Sequence, residues 1–273
     1  MWGVFTMKTV YFDCFSGVSG DMCLGALVGA GVNFDRLCQG LAGLALDGYE
    51  LRREQVHRAG IAAENILVET STRGQHLRYL PDIEQIIAAS ELPENVKNKS
   101  KQVFQTLARA EARVHGTTPE KIHFHEVGAV DAIVDVVGTV LGLHLLEVEA
   151  VFVSPLPLGS GFIHCQHGII PAPAPATLEI LTGARVPVYD AGVRMETVTP
   201  TGAALVATLS EGRVGLPAMT IDRVGYGAGK NEYDRPNLLR VIVGDAVASC
   251  TANNKQLGDK SCHHKTGGAH SHT

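Results

Sequence analysis

The thirteen residues His123-Phe-His125-Glu126-Val-Gly-Ala-Val-Asp131-Ala-Ile-Val-Asp135 hold two imidazoles and three carboxylates. Alternate residues of an extended lead-in share a side, which puts His123 and His125 together. A helix beginning near Glu126 sets Asp131 and Asp135 four residues apart on one face. Imidazole with carboxylate is a donor set for nickel, zinc or manganese. In the plainer alternative Glu126 and Asp131 cap the helix and pair with arginines. Asp135 resists it: its neighbours are apolar, and a lone buried carboxylate is costly unless paired or on a metal.

The segment Asp13-Cys-Phe-Ser16-Gly17-Val-Ser19-Gly20-Asp21 joins an apolar run to a helix-like stretch. Such a corner offers backbone N–H groups and a positive dipole end to an anion. It has neither a Walker lysine nor G-x-G-x-x-G, and an ordinary strand–turn–helix corner capped by Ser19 or Gly20 would use the same residues. Its two flanking aspartates do suit a divalent ion bridging phosphates. Thr199-Pro-Thr201-Gly202 opens another helix, whose hydroxyls cap it and can also hold an oxyanion. The phosphate-facing candidates are therefore Asp13, Ser16, Gly17, Ser19, Gly20, Asp21, Thr199, Thr201 and Gly202.

Between Gly159 and Gly168, His164 and His167 flank Cys165. Strand neighbours point to opposite faces, so His164 and Cys165 are not a direct catalytic couple. His167, ahead of a proline-rich stretch, reads as a loop residue at a cleft; incidental surface histidines are the alternative. Four more imidazoles, His263, His264, His270 and His272, stand in a Gly/Ser-interrupted tail suited to loading nickel, copper or zinc. The metal candidates of the body are His123, His125, Glu126, Asp131, Asp135, His164 and His167; none of these patterns singles out a catalytic residue.

Holding these groups requires strands and helices that the pattern supplies in mixed order. KTVYFDCF after Met7 is a strand, MCLGALVGAG and FDRLCQGLAGL are helices, and Tyr49 to Thr70 is a strand pair broken at Ala59-Gly60. Helices are predicted over 81–90, 93–115 and 127–146, then a strand at 151–153. PAPAPATLEILTG enters a helix ending at Gly183, and TPTGAALVATL is a further helix. AMTIDRVGYGAG and NLLRVIVGD close the set as strands, and GYGAG with Pro236-Asn237 reads as a tight strand connection. Without strict βαβ alternation, this is an α+β fold, with mixed sheets covered by helices. One region spans 7–245, with a sub-division near 150, and 246–273 is a flexible tail.

Apolar residues at 45% and charged residues at 19% exclude a disordered chain. A formal charge of −5 leaves no basic footprint, so no nucleic acid is expected as partner. No apolar run nears the roughly 18 residues of a spanning helix, and MWGVFTMKTV is no signal peptide, so neither a membrane nor secretion is expected and the cytoplasm is the default. The six cysteines include no CxxC, against both a disulfide framework and a cysteine zinc site.

DCFSGVSGDMCLGAL, HFHEVGAVDAIVDVVG, SPLPLGSGFIHCQHGIIPAPAPATLEIL, TPTGAALV and GYGAG with RPNLLRV together resemble the LarC-type nickel insertion proteins, in order from about Met7 to Gly244. The resemblance implies that the whole family protein is a nickel chelatase of the lyase class. It inserts Ni(II) into pyridinium-3,5-bisthiocarboxylic acid mononucleotide, making the nickel-pincer nucleotide of lactate racemase and related enzymes. It further implies CTP dependence, Mn(II) or Mg(II), a C-terminal part that handles CTP, and the apo-racemase as recipient. This chain is similar to the shorter, N-terminal product that some members make by frameshifting, and is expected to be inactive alone. Members often carry a histidine-rich stretch before the segment matching LRYLPDIEQII; here only Gln75-His76 stands there. Without the resemblance, a stand-alone nickel-binding or storage protein and a metal-dependent phosphohydrolase are the alternatives.

Overall fold

The structure is a computed structural model that describes residues 6–46, 48–70, 78–124, 129–166, 168–211, 215–231 and 234–247. Along the chain run β1 (Thr6–Asp13), α1 (Gly20–Gly29), α2 (Phe34–Ala42), β2 (Tyr49–Arg58), β3 (Ile61–Thr70), β4 (Arg78–Tyr79), α3 (Leu80–Ala89), α4 (Glu94–His115) and β5 (His123–Phe124). There follow α5 (Val130–Leu145), β6 (Ala150–Val153), β7 (Leu156–Leu158), β8 (Phe162–Cys165), β9 (Gly168–Pro171), α6 (Pro175–Ala184), β10 (Val188–Asp190), α7 (Pro200–Leu209), β11 (Met219–Ala228) and β12 (Leu238–Val247).

Six strands form one mixed sheet in the order β2-β3-β11-β12-β1-β6. β1 is antiparallel to β12 and parallel to β6, and β11 meets β3 in parallel through Gly227 and Glu64. Strands from both sides of residue 150 thus share one sheet. The sheet also runs two residues past the expected boundary at 245: Ala246 is buried and pairs with Met7 and Met219.

α1 is buried from Gly20 to Val28, so no polar stripe marks a solvent face; it lies between the sheet and α5. α4 then packs on α3, α5, α6 and α7, completing the helical cover. The α+β expectation holds. GYGAG, however, is the end of β11 rather than a strand connection. A Cβ at Gly225 would fall 2.1 Å from the Ala26 carbonyl oxygen, and one at Gly227 would fall 2.0 Å from that of Met22. Those glycines let α1 lie directly on the strand backbone.

Two further differences have local causes. Gly183 does not end α6; Arg185 takes the left-handed position at φ 53° and closes the helix. GSGFIHCQHGII is the antiparallel hairpin β8–β9, pairing Ile163 with Ile170 and His164 with Ile169. Its histidines and glycines obscure the alternation of so short a pair.

Candidate functional site

The loop after β1 is fastened to the lead-in of α7. Val18 N–H donates to the Thr197 carbonyl at 2.9 Å, and Thr199 N–H donates to the Val18 carbonyl at 3.1 Å. Close approach needs glycine on both sides. Gly17 sits at φ +120°, where a Cβ would meet the Thr197 oxygen at 2.0 Å, and a Cβ at Gly202 would meet the Val18 oxygen at 2.3 Å. Gly17 and Gly202, read from the sequence as phosphate-facing, do not line the cavity beside this corner; they allow two helix starts to lie side by side. Ser16 is buried in the same corner.

A cavity of about 450 Å³ opens at this junction. Four helix N-termini reach it: Ser19, Gly20 and Asp21 of α1, Asp131 of α5, Ala174 to Ala176 of α6, and Thr199 to Thr201 of α7. Each brings the positive end of a helix dipole, so their convergence favours an anion. Thr199 accepts from the Gly202 N–H at 3.1 Å and so caps α7. Ser19 Oγ instead donates to Asp21 Oδ1, which also accepts from the Met22 N–H at 2.9 Å.

Into this positive end-field project three carboxylates. α5 begins at Val130 with Ala129 as its cap, later than the sequence reading placed it, yet Asp131 and Asp135 still share a face. Asp135 is 9% exposed, and Asp21 is 8% exposed. The Asp135 carboxyl lies over the first turn of α1, where a Cβ on Gly20 would sit 2.7 Å from its Oδ2. Among the described residues its Oδ1 has no hydrogen-bond partner. Burial first, then the charges of Asp21 and Asp131, push its carboxyl well above the usual carboxylate range, while Lys230 pulls the other way. Lys230 Nζ stands 3.8 Å from Asp131 Oδ2 and is largely exposed.

Softer donors occupy other parts of the wall. His123 on β5 lies edge-on to Tyr79, ring centroids 6.0 Å apart, and His164, Cys165, Ile163 and Ile170 come from the β8–β9 hairpin. Although strand neighbours, His164 and Cys165 both line the cavity. Cys14 and Cys23, by contrast, are fully enclosed, and burial drives both thiols upward.

Of the sequence candidates, Ser19, Gly20, Asp21, His123, Asp131, Asp135, His164, Thr199 and Thr201 line this one cavity. Asp13 does not. It lies across the sheet from Arg240, whose Nε donates to Asp13 Oδ2 at 2.9 Å while its guanidinium lies over the Phe15 ring. His125, Glu126, His167 and the tail histidines His263, His264, His270 and His272 fall outside the described residues. No group of three or more His, Cys, Asp or Glu side chains among the described residues is arranged to hold a metal ion. Sequence reasoning missed Glu111, Glu196, Lys230, Asn231 and Asn237 as cavity-lining residues. Lys230 and Asn237 bracket a strand connection read as purely structural, and Glu111 looks like any acid on an amphipathic helix.

The family model for nickel insertion proteins matches residues 10–266, nearly the whole chain. This chain belongs to the nickel insertion protein family. A relative from Desulfitobacterium hafniense (strain DSM 10664 / DCB-2), named pyridinium-3,5-bisthiocarboxylic acid mononucleotide nickel insertion protein, is 52% identical over 239 residues, covering 88% of this chain and 59% of the relative. One of the same name from Acetivibrio thermocellus is 45% identical over 248 residues, covering 88% of this chain and 61% of the relative. The chain thus spans about three-fifths of the length of these curated relatives. No solved structure matches it. Among the described residues no helix is long and apolar enough to cross a membrane.

Proposed function

We propose that this chain is the N-terminal part of a CTP-dependent nickel chelatase that inserts Ni(II) into pyridinium-3,5-bisthiocarboxylic acid mononucleotide, the compound in its relatives' name. One observation carries the reading: helix ends that attract an anion and donors that attract a cation line the same cavity. The anionic mononucleotide is seated at the α7 and α1 starts, where Thr199, Thr201 and Ser19 offer hydroxyls. Ni(II) is presented by the imidazoles of His123 and His164 with Asp131, joined by His125 and Glu126. Few protein ligands give modest affinity, so the metal passes to sulfur donors that bind it more strongly. The family's C-terminal part handles CTP with Mn(II) or Mg(II), and the product goes on to an apo-racemase.

The test is calorimetric titration of nickel into the chain ended after Val247, in parent, His125→Ala and His164→Ala forms. The substitutions are expected to lower affinity at least tenfold, and to stop insertion when CTP and the C-terminal part are supplied. Unchanged nickel binding and delivery in both would refute the cavity as the nickel seat. Phosphoester cleavage by the chain alone would favour a hydrolase instead.

A further inference from the structure

Asp21 and Asp135 offer only oxygen, deep between α1 and α5, whereas the imidazoles and the Cys165 thiol stand on β5 and the β8–β9 hairpin. Oxygen-only donors suit Mg(II) or Mn(II), and imidazole or thiol suits nickel. We propose that Asp135 and Asp21 hold a second, hard divalent cation, Mg(II) or Mn(II), whose coordination is completed by the phosphate of a mononucleotide seated at the start of α7.

Three observations carry this. Asp135 is nine-tenths buried, lines the cavity and leaves Oδ1 without a hydrogen-bond partner among the described residues. A buried carboxylate in that condition is waiting for a cation or must stay neutral. Its carboxyl lies over Gly20, one residue before Asp21, so both carboxyls sit at the same helix turn. The phosphate seat adjoins that turn: a Cβ on Gly202 would stand 2.8 Å from the Ser19 nitrogen, which places the first turn of α7 against the start of α1. Mg(II)-type ions are commonly held by one or two carboxylates plus substrate phosphate and water. That accounts for the absence of a three-donor protein cluster among the described residues.

The inference rests on reading the cavity as the seat of a pyridinium mononucleotide, and it is separable from the nickel chemistry. Mn(II) binding to the full chain is followed by electron paramagnetic resonance with and without nicotinic acid mononucleotide, a sulfur-free pyridinium mononucleotide. Mn(II) affinity is expected to rise at least tenfold with the mononucleotide present, and excess Mg(II) to displace the Mn(II). Asp135→Asn, which keeps shape and removes charge, should abolish that coupling, and Asp21→Asn should weaken it. His164→Ala should leave it intact. Equal Mn(II) affinity with and without the mononucleotide, or coupling that survives Asp135→Asn in a folded variant, would overturn the proposal. Nickel transfer without Mn(II)–mononucleotide coupling would sink the hard-cation site and leave the nickel reading standing. Coupling without nickel transfer, when CTP and the C-terminal part are supplied, would do the reverse.

Discussion

At the scale of single residues, Asp135 is the group whose type and place disagree most with its surroundings. It interrupts a run of wholly buried aliphatic residues on α5, and nothing within the described structure bonds its Oδ1. Because folding raises its affinity for a proton, the folded state holds more protons than the unfolded chain above the ordinary carboxylate pKa. Stability then falls as pH rises through the folded value. In chelator-treated protein, Asp135→Asn should therefore raise the melting temperature at pH 8 by a few degrees. The gain should shrink as pH falls toward 4, where the parent carboxyl is already neutral. A pH series of thermal melts reads this, and a gain independent of pH would show that charge is not the cause.

At the scale of elements, the contact between α1 and β11 is where two backbones meet without side chains between them. Gly227→Ala would drive a Cβ into the Met22 carbonyl of a helix buried on every side. Overpacking of this kind costs about 1–3 kcal/mol, read as a melting temperature lower by several degrees. Gly183 is the contrasting case. It lies inside α6 with nothing within 4 Å of an added Cβ and no positive φ. Gly183→Ala should stabilise the protein by about 0.5–1 kcal/mol, because alanine loses less backbone freedom on entering a helix. Denaturant titrations of both variants give opposite signs if the two glycines are placed as described.

At the scale of the whole molecule, β12 pairs along all of β1, and Val247 is the last residue described. Ending the chain after Val247 should leave the melting temperature within about 1 °C of the parent, since the removed segment is polar and low in apolar residues. Ending it after Val241 removes six of the ten residues of β12, including the buried Val243 and Ala246, and should abolish cooperative unfolding. If the tail truncation instead lowered the melting temperature markedly, the tail would have to pack on the body.

The sequence by itself determined most of the elements and the donor types. Start and stop residues marked α1 and α7, apolar runs and spacing marked α4 and α5, and the density of His, Asp and Glu marked the segment from His123 to Asp135. Local pattern could reach those because side-chain spacing along a helix is a local property. It could not tell Asp13 from Asp21. Both flank one loop, yet Asp13 meets Arg240, more than two hundred residues away, while Asp21 turns into the cavity. Nor could it show that Gly17, Gly202, Gly225 and Gly227 serve backbone approach, because each partner backbone lies far along the chain or across the sheet. Only the tertiary structure brought four helix starts, three aspartates and the hairpin cysteine to one cavity. Long-range pairing of β1 with β12 and of Val18 with Val198 sets that arrangement, and such pairing leaves no spacing in the sequence to read.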